Sequence, residues 1–330
     1  MMRSALAFIA VVWLCWVPGA AQGTSGGRHF AFHYAFKIQN VSPGEELRVW
    51  IPLAHSDEFQ TVKITRMSGD LVLKKRREST HGNEMLYAEA RKAEKAEYSF
   101  AVDYDVARNE RFSWGGPGKR LLKESRATLR RELAPDALVP VTGLPLELAV
   151  QATQGTTTPL EKARVIYDFV FRTMRYDKSG TGWGRGDTLW ACDAKHGNCT
   201  DFHSIFLSMA RSQGIPARFA IGFPLPEGKN AAEVPGYHCW ADFWTDSKGW
   251  VPVDISEAWK HPERKDYFFG TLDANRFELT KGRDLKLSPP QRGPLLNYFV
   301  YPYVEVGGKP WSNVNHSFSF ADVAPSGGTR

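Results

Sequence analysis

Residues 30 to 38 read Phe-Ala-Phe-His-Tyr-Ala-Phe-Lys-Ile, with large apolar side chains on one parity and small or polar ones on the other. Only a strand buries one side of such a run, because a helix would spread the same rings around its circumference. The alternation predicts a half-buried strand with Phe30, Phe32, Tyr34, Phe36 and Ile38 inward. Further strand candidates are 47–53, 61–65, 70–73, 85–90 and 97–106, divided by turn formers such as Gly82-Asn83. Short strands at this spacing predict an antiparallel β-sandwich over 28–108. It carries no obvious chemistry, so its expected role is binding or support.

The pattern then changes. Residues 109–157 hold a Gly-Gly-Pro-Gly run, a short basic helical pattern and Pro135, Pro140 and Pro145, and read as a linker. In Thr158-Pro159-Leu160-Glu161 a cap, a first-turn proline and an acid three residues after the cap announce a helix. Its expected buried stripe is Val165, Ile166, Phe169, Val170 and Thr173. A loop rich in Gly and Trp leads to a second helix starting at Cys199. There Phe202, Ile205, Phe206, Met209 and Ala210 fall on one face, and Gly214 ends it. Strands follow over 216–224 and 238–244, then an Asp246-Ser247-Lys248-Gly249 turn and a returning strand over 250–254. Two helices followed by an antiparallel sheet predict an α+β domain, placed at 158–305 with a C-terminal extension; 306–330 read as a tail.

Cys199 stands where a helix begins. The unpaired amides and positive dipole end favour a thiolate there, and the same amides can meet an oxyanion. His238 opens a later strand, where an imidazole could take the thiol proton and return it to a leaving amine. The turn at 246–249 folds the next strand back, bringing Asp254 near the His238 end, where it could orient the imidazole. Asp242 is the competing acid. It lies four residues along the strand of His238, about 13 Å at roughly 3.3 Å per residue, too far for a hydrogen bond.

These residues sit in recognisable surroundings. Gly197-Asn198-Cys199-Thr200-Asp201-Phe202, then Ala210-Arg211 and Gly214-Ile215-Pro216-Ala217-Arg218, resemble the nucleophile segment of the transglutaminase-like superfamily. His238-Cys239-Trp240-Ala241-Asp242-Phe243 resembles its His strand, and Gly249-Trp250-Val251-Pro252-Val253-Asp254 its Asp strand. The resemblance covers 159–254 and implies a papain-like α+β core with Cys199, His238 and Asp254 as catalytic residues. It implies thiol chemistry on amides, either hydrolysis of peptide or amide bonds or transfer of a glutamine acyl group, with no metal or other cofactor. The competing expectation is a non-catalytic binding or scaffolding module of the cell envelope.

Trp240 shares a strand face with His238, where it covers the imidazole or lines the substrate site, and Trp183 and Trp190 precede Cys199 as candidates for lining that site. His203, one helical turn after the cysteine, is a candidate for the substrate-site wall or for a satisfied polar group beneath the helix. Cys239, neighbouring His238, is expected to face away from the site. Cys192 could pair with Cys239 or with Cys199, since spacing does not settle connectivity. Cys192, His196, Cys199 and His203 also invite a zinc reading, but their spacing fits no common zinc module.

The first 21 residues, a basic start followed by an apolar run and small residues, are expected to be a secretory signal. Export would place the protein in the periplasm or outside the cell, with no later membrane span and a protein or peptide substrate in the envelope. A formal charge of +6 and the lack of any reader motif argue against nucleic acid as a partner.

Overall fold

The computed structural model describes residues 26–114 and 123–324, so the expected signal segment lies outside the described residues. The first part is all strand: β1 (Gly27–Ile38), β2 (Leu47–Leu53), β3 (Gln60–Gly69), β4 (Lys74–Arg77), β5 (Glu84–Ala90) and β6 (Tyr98–Asn109). The predicted strand at 70–73 is absent; the chain turns there and pairs instead through the basic residues of β4. Next come β7 (Arg111–Phe112), α1 (Arg126–Arg131), α2 (Leu144–Ala152), α3 (Pro159–Thr173), β8 (Arg175–Tyr176), α4 (Thr188–Ala194), β9 (His196–Gly197) and α5 (Cys199–Ser212). The chain continues through β10 (Ala217–Pro224), β11 (Ala231–Glu233), β12 (His238–Thr245), β13 (Gly249–Val253), α6 (Ile255–Lys260), β14 (Thr271–Leu272) and β15 (Arg276–Lys281). It closes with β16 (Tyr303–Val306), β17 (Lys309–Pro310) and β18 (Val314–Asp322).

Two five-stranded sheets make the β-rich part, in the orders β11-β18-β1-β6-β3 and β17-β16-β2-β5-β4. Their composition revises the expected boundaries. The segment read as a tail supplies β17 and β18, and β18 lies along β1 from Phe30↔Asp322 to Ile38↔Val314. Without it, β1 would be an open edge with its backbone donors and acceptors unpaired. The segment read as a linker also packs: Ala149 of α2 is fully buried, and Arg111 of β7 is an ion-pair partner inside the second part.

The second part centres on a four-stranded antiparallel sheet, β13-β12-β10-β15, with α5 laid on β12. Phe32 of β1 stacks on Phe223 of β10 at 5.1 Å and meets Phe277 of β15 at 4.9 Å, so the two parts share one core. Helix α5 is buried from Cys199 to Arg211, because α2, α3 and α4 cover the sides that β12 leaves open. Its polar residues are therefore interior groups, although periodicity exposes only the apolar face.

Helix α3 begins with the expected capping box. Glu161 N–H donates to Thr158 Oγ1 at 3.2 Å, and Thr158 N–H to Glu161 Oε2 at 2.9 Å. Its buried stripe is Ala163, Ile166, Tyr167 and Val170, turned from the expected one so that Val165 and Phe169 are only half-buried. Thr158→Ala is expected to cost about 1 kcal/mol, the usual value of an N-cap side chain, read as a lower urea midpoint at unchanged slope.

Candidate active site

The site is assembled at one end of α5. Asn198 caps the helix by accepting from Thr200 N–H at 2.9 Å, and Asp201 accepts from Asn198 N–H at 2.9 Å. This second capping box leaves Cys199 at the first helical position, whose amide has no acceptor within the helix. Asp201 also accepts from Gly184 N–H at 2.7 Å and Gly186 N–H at 2.9 Å, fastening the glycine-rich loop to the helix start. The Asn-x-x-Asp spacing was a signal for this clamp in the sequence.

His238, the first residue of β12, donates from Nε2 to Asp254 Oδ2 at 2.6 Å. That bond leaves Nδ1 as the ring nitrogen free for another partner, and Cys199 is among the neighbouring groups that act electrostatically on the imidazole. Asp254 follows β13 directly after the pair Ala241↔Val253, and it caps α6 by accepting Glu257 N–H at 3.0 Å. The hairpin thus brings His238 and Asp254 together. Asp242 is held elsewhere, between Arg111 at 2.8 Å and Arg218 at 2.9 Å.

Charge accounts for the expected proton positions. Burial pushes the Cys199 thiol up, but a hydrogen bond from Cys239 and then the hydrogen bond and charge of His238 outweigh it, holding the thiol well below its ordinary range. Burial lowers His238, whereas Asp254 and Cys199 raise it to about 10. Asp254 is pushed up by burial and pulled well below the carboxylate range by His238, Arg276 and their hydrogen bonds. The favoured state is thiolate, imidazolium and carboxylate in a row.

One expectation about a neighbour changes, and two open ones narrow. Cys239 does not face away: it lies against α5, with its sulfur 3.7 Å from His203 Nδ1, and it acts electrostatically on Cys199. Alternation does put Cys239 opposite His238, but α5 covers that opposite face and Cys199 begins α5. His203 is fully buried, so of its two expected places it takes the polar position beneath the helix and not the substrate wall. Its Nδ1 donates to Cys199 O at 2.7 Å and its Nε2 accepts from Ile255 N–H at 3.1 Å, which fixes a neutral tautomer between the helix start and the Asp strand. Trp240 is also fully buried, its ring 6.1 Å from that of His238 and 5.1 Å from the guanidinium of Arg276. It backs the imidazole from inside the core.

Trp183 and Trp190 are half-buried; Trp183 lies 5.8 Å from Lys178 Nζ, and Trp190 packs edge-on against His196 at 5.4 Å. Nearer the nucleophile is Tyr237, whose hydroxyl accepts from Asn198 Nδ2 at 2.9 Å. Cys192, Cys199 and Cys239 are all free thiols, and among the described residues no three His, Cys, Asp or Glu side chains converge to hold a metal. Sequence reasoning missed Arg276, which donates to Asp254 Oδ2 at 2.9 Å from β15. It lies beyond the motifs, and one arginine in a strand gives no local signal.

A helix-start cysteine facing a His–Asp hairpin across an antiparallel sheet defines the papain-like α+β class. Residues 146–255 match the family model of the Transglutaminase-like superfamily. The chain is 28% identical over 321 residues to an uncharacterized Haemophilus influenzae protein, covering 85% of this chain and 86% of that one. A segment is 24% identical over 129 residues to the uncharacterized Bacillus subtilis protein YebA, covering 35% of this chain and 18% of that one. In fold, the protein resembles a candidate cysteine protease from Cytophaga hutchinsonii, with a TM-score of 0.59 and 13% identity over 92% of this chain and 93% of that one. Among the described residues no helix is long and apolar enough to cross a membrane.

Proposed function

We propose that the protein is a thiol enzyme acting on amides, with Cys199 as nucleophile, His238 as general base and acid, and Asp254 as the group that orients His238. The observation that carries this reading is the buried 2.6 Å bond from His238 Nε2 to Asp254 Oδ2, which leaves Nδ1 for the sulfur. In the first step the Cys199 thiolate attacks the amide carbon, and the carbonyl electrons move onto oxygen. The amide N–H at the start of α5 is placed to stabilise that charge. Collapse expels the amine, which takes the proton held by His238, and leaves a thioester. Water or an amine, deprotonated by His238, then releases the acyl group. Hydrolysis is the favoured outcome, because water is in excess wherever the opened site admits it.

Cys199 is 2% and His238 4% exposed, so a substrate must displace whatever covers them. A protein or peptide of the cell envelope is the proposed substrate; the export this requires rests on residues 1–21, outside the described residues.

The test is direct capture of the intermediate. Peptide amides and glutamine-containing peptides incubated with the protein should release amine or ammonia in a stoichiometric burst. Quenched samples should carry the acyl mass on the Cys199 peptide. Turnover that persists in Cys199→Ala would overturn the mechanism.

A further inference from the structure

Asp254 has a cationic partner that the three-residue scheme does not use. Arg276, 2% exposed, donates from Nη1 to Asp254 Oδ2 at 2.9 Å, the same oxygen that accepts from His238 at 2.6 Å. The other oxygen accepts from the Ser256 hydroxyl at 3.1 Å and from Glu257 N–H at 3.0 Å. Four donors converge on one carboxylate, an acceptor-only group when ionised. A carboxylate in a catalytic set that serves only to orient a histidine does not require a buried guanidinium; this one has it.

We infer that Arg276 is a positioning residue that sets the pH window of the Cys199–His238 pair, by neutralising part of the charge that Asp254 presents to the imidazole. The inference rests on the function proposed above. Asp254 unopposed would make His238 a stronger base, and an imidazolium that holds its proton too tightly is a poor acid toward a leaving amine. Arg276 opposes that pull through the shared oxygen. Its charge also favours the thiolate.

Other groups facing this cluster are accounted for. Asp273 lies 3.4 Å from Arg276 Nη2, and Glu257 Oε1 lies 3.9 Å from His238 Nε2 while paired with Lys260 at 2.6 Å. His203 Nε2 is 3.8 Å from Asp254 Oδ1 but accepts a backbone N–H and is neutral. Arg108 lies 6.0 Å from the Trp240 ring against which Arg276 packs, and acts on Arg276 as a like charge. Tyr167 lies near Asp254, and Tyr176, Tyr237 and Cys239 lie near Cys199; all four are neutral acids raised first by burial.

Both limbs of the profile move together when a positive charge is removed. The acid limb is loss of the thiol proton beside imidazolium, which a cation favours. The alkaline limb is loss of the imidazolium proton, which a cation also favours. Arg276→Met should therefore shift both limbs of Cys199 alkylation upward by about one pH unit or more, the usual effect of an opposite charge at hydrogen-bond range. Arg276→Lys should return them most of the way. Misplacement of Asp254 without an electrostatic effect would lower the rate at every pH and leave the limbs in place.

The experiment is the pH profile of iodoacetamide alkylation at Cys199 in the full chain, for wild type, His238→Ala, Arg276→Met and Arg276→Lys. Should Arg276→Met lose its cooperative unfolding transition, Asp273→Asn gives an independent reading. It removes the anion that shares the guanidinium and should move both limbs downward. Unmoved limbs in a folded Arg276→Met variant, or an upward shift in Asp273→Asn, would overturn the role of Arg276. A wild-type profile indifferent to His238→Ala would instead overturn the thiol–imidazole reading on which it rests.

Discussion

In the His238→Ala variant, the midpoint of Cys199 alkylation is expected to climb by at least about two pH units, roughly 2.7 kcal/mol of lost thiolate stabilisation. At pH values below the wild-type midpoint the rate should fall by about 100-fold or more. The size follows from what remains after the change. Burial raises the thiol, and once the His238 donor and charge are gone only Cys239, the weaker influence of His203 and the helix start would still oppose it. Cys192 does not confuse the measurement, since burial pushes its thiol up to about 11, and the Cys199 peptide can be followed by mass. An unchanged midpoint would mean that Cys239, His203 and the helix start alone carry the thiolate. Cys199 would then be an acidic thiol without a base, and the acyl-enzyme mechanism would lose its proton carrier.

The second large effect is on stability. Gly222 of β10 pairs with His238 of β12 on one side and with Glu278 of β15 on the other, where the register shifts. A methyl group there would lie 1.8 Å from Phe277 O, 2.8 Å from Phe277 C and 2.9 Å from the Glu278 Cα, all of them backbone atoms. No rotamer change relieves such a clash, so β15 must move away from β10. Gly222→Ala is expected to cost at least about 3 kcal/mol, the upper range of overpacking, because separating these strands also breaks ladder hydrogen bonds. Because β15 carries Arg276, the variant should also lose part of the fast alkylation at neutral pH. Gly214→Ala is the control: its added methyl meets nothing within 4 Å, and only the positive φ of 76° is unfavourable. Equal urea midpoints for Gly222→Ala and Gly214→Ala would show that the strand irregularity absorbs the methyl.

Much of the arrangement follows from neighbours along the chain. The strand over 30–38 is specified by its own alternation, and α3 by a capping box within four residues of its start. Burial of Phe202, Phe206 and Met209 follows from their spacing in α5. The His–Asp hairpin is specified by the turn between its strands, because an antiparallel return sets which residues lie near which. These are short-range interactions, so the residue types and their spacing carry the information.

What tertiary structure alone decided is which distant groups meet. The pairing of β1 with β18 joins the two ends of the described chain. In isolation 314–322 is a short run whose apolar signal rests mainly on Phe318 and Phe320. Arg276 and Asp273 reach the Asp254 cluster because β15 joins the sheet beyond β10, and Arg111 reaches Asp242 because the segment after β6 packs rather than links. Cys239 changed role because α5 lies on the strand face that alternation alone would assign to an anonymous core. A charged or polar side chain does not encode its partner. The partner is set by which elements the shared hydrophobic core brings together, and once water is excluded each buried polar group needs a partner from among those it meets.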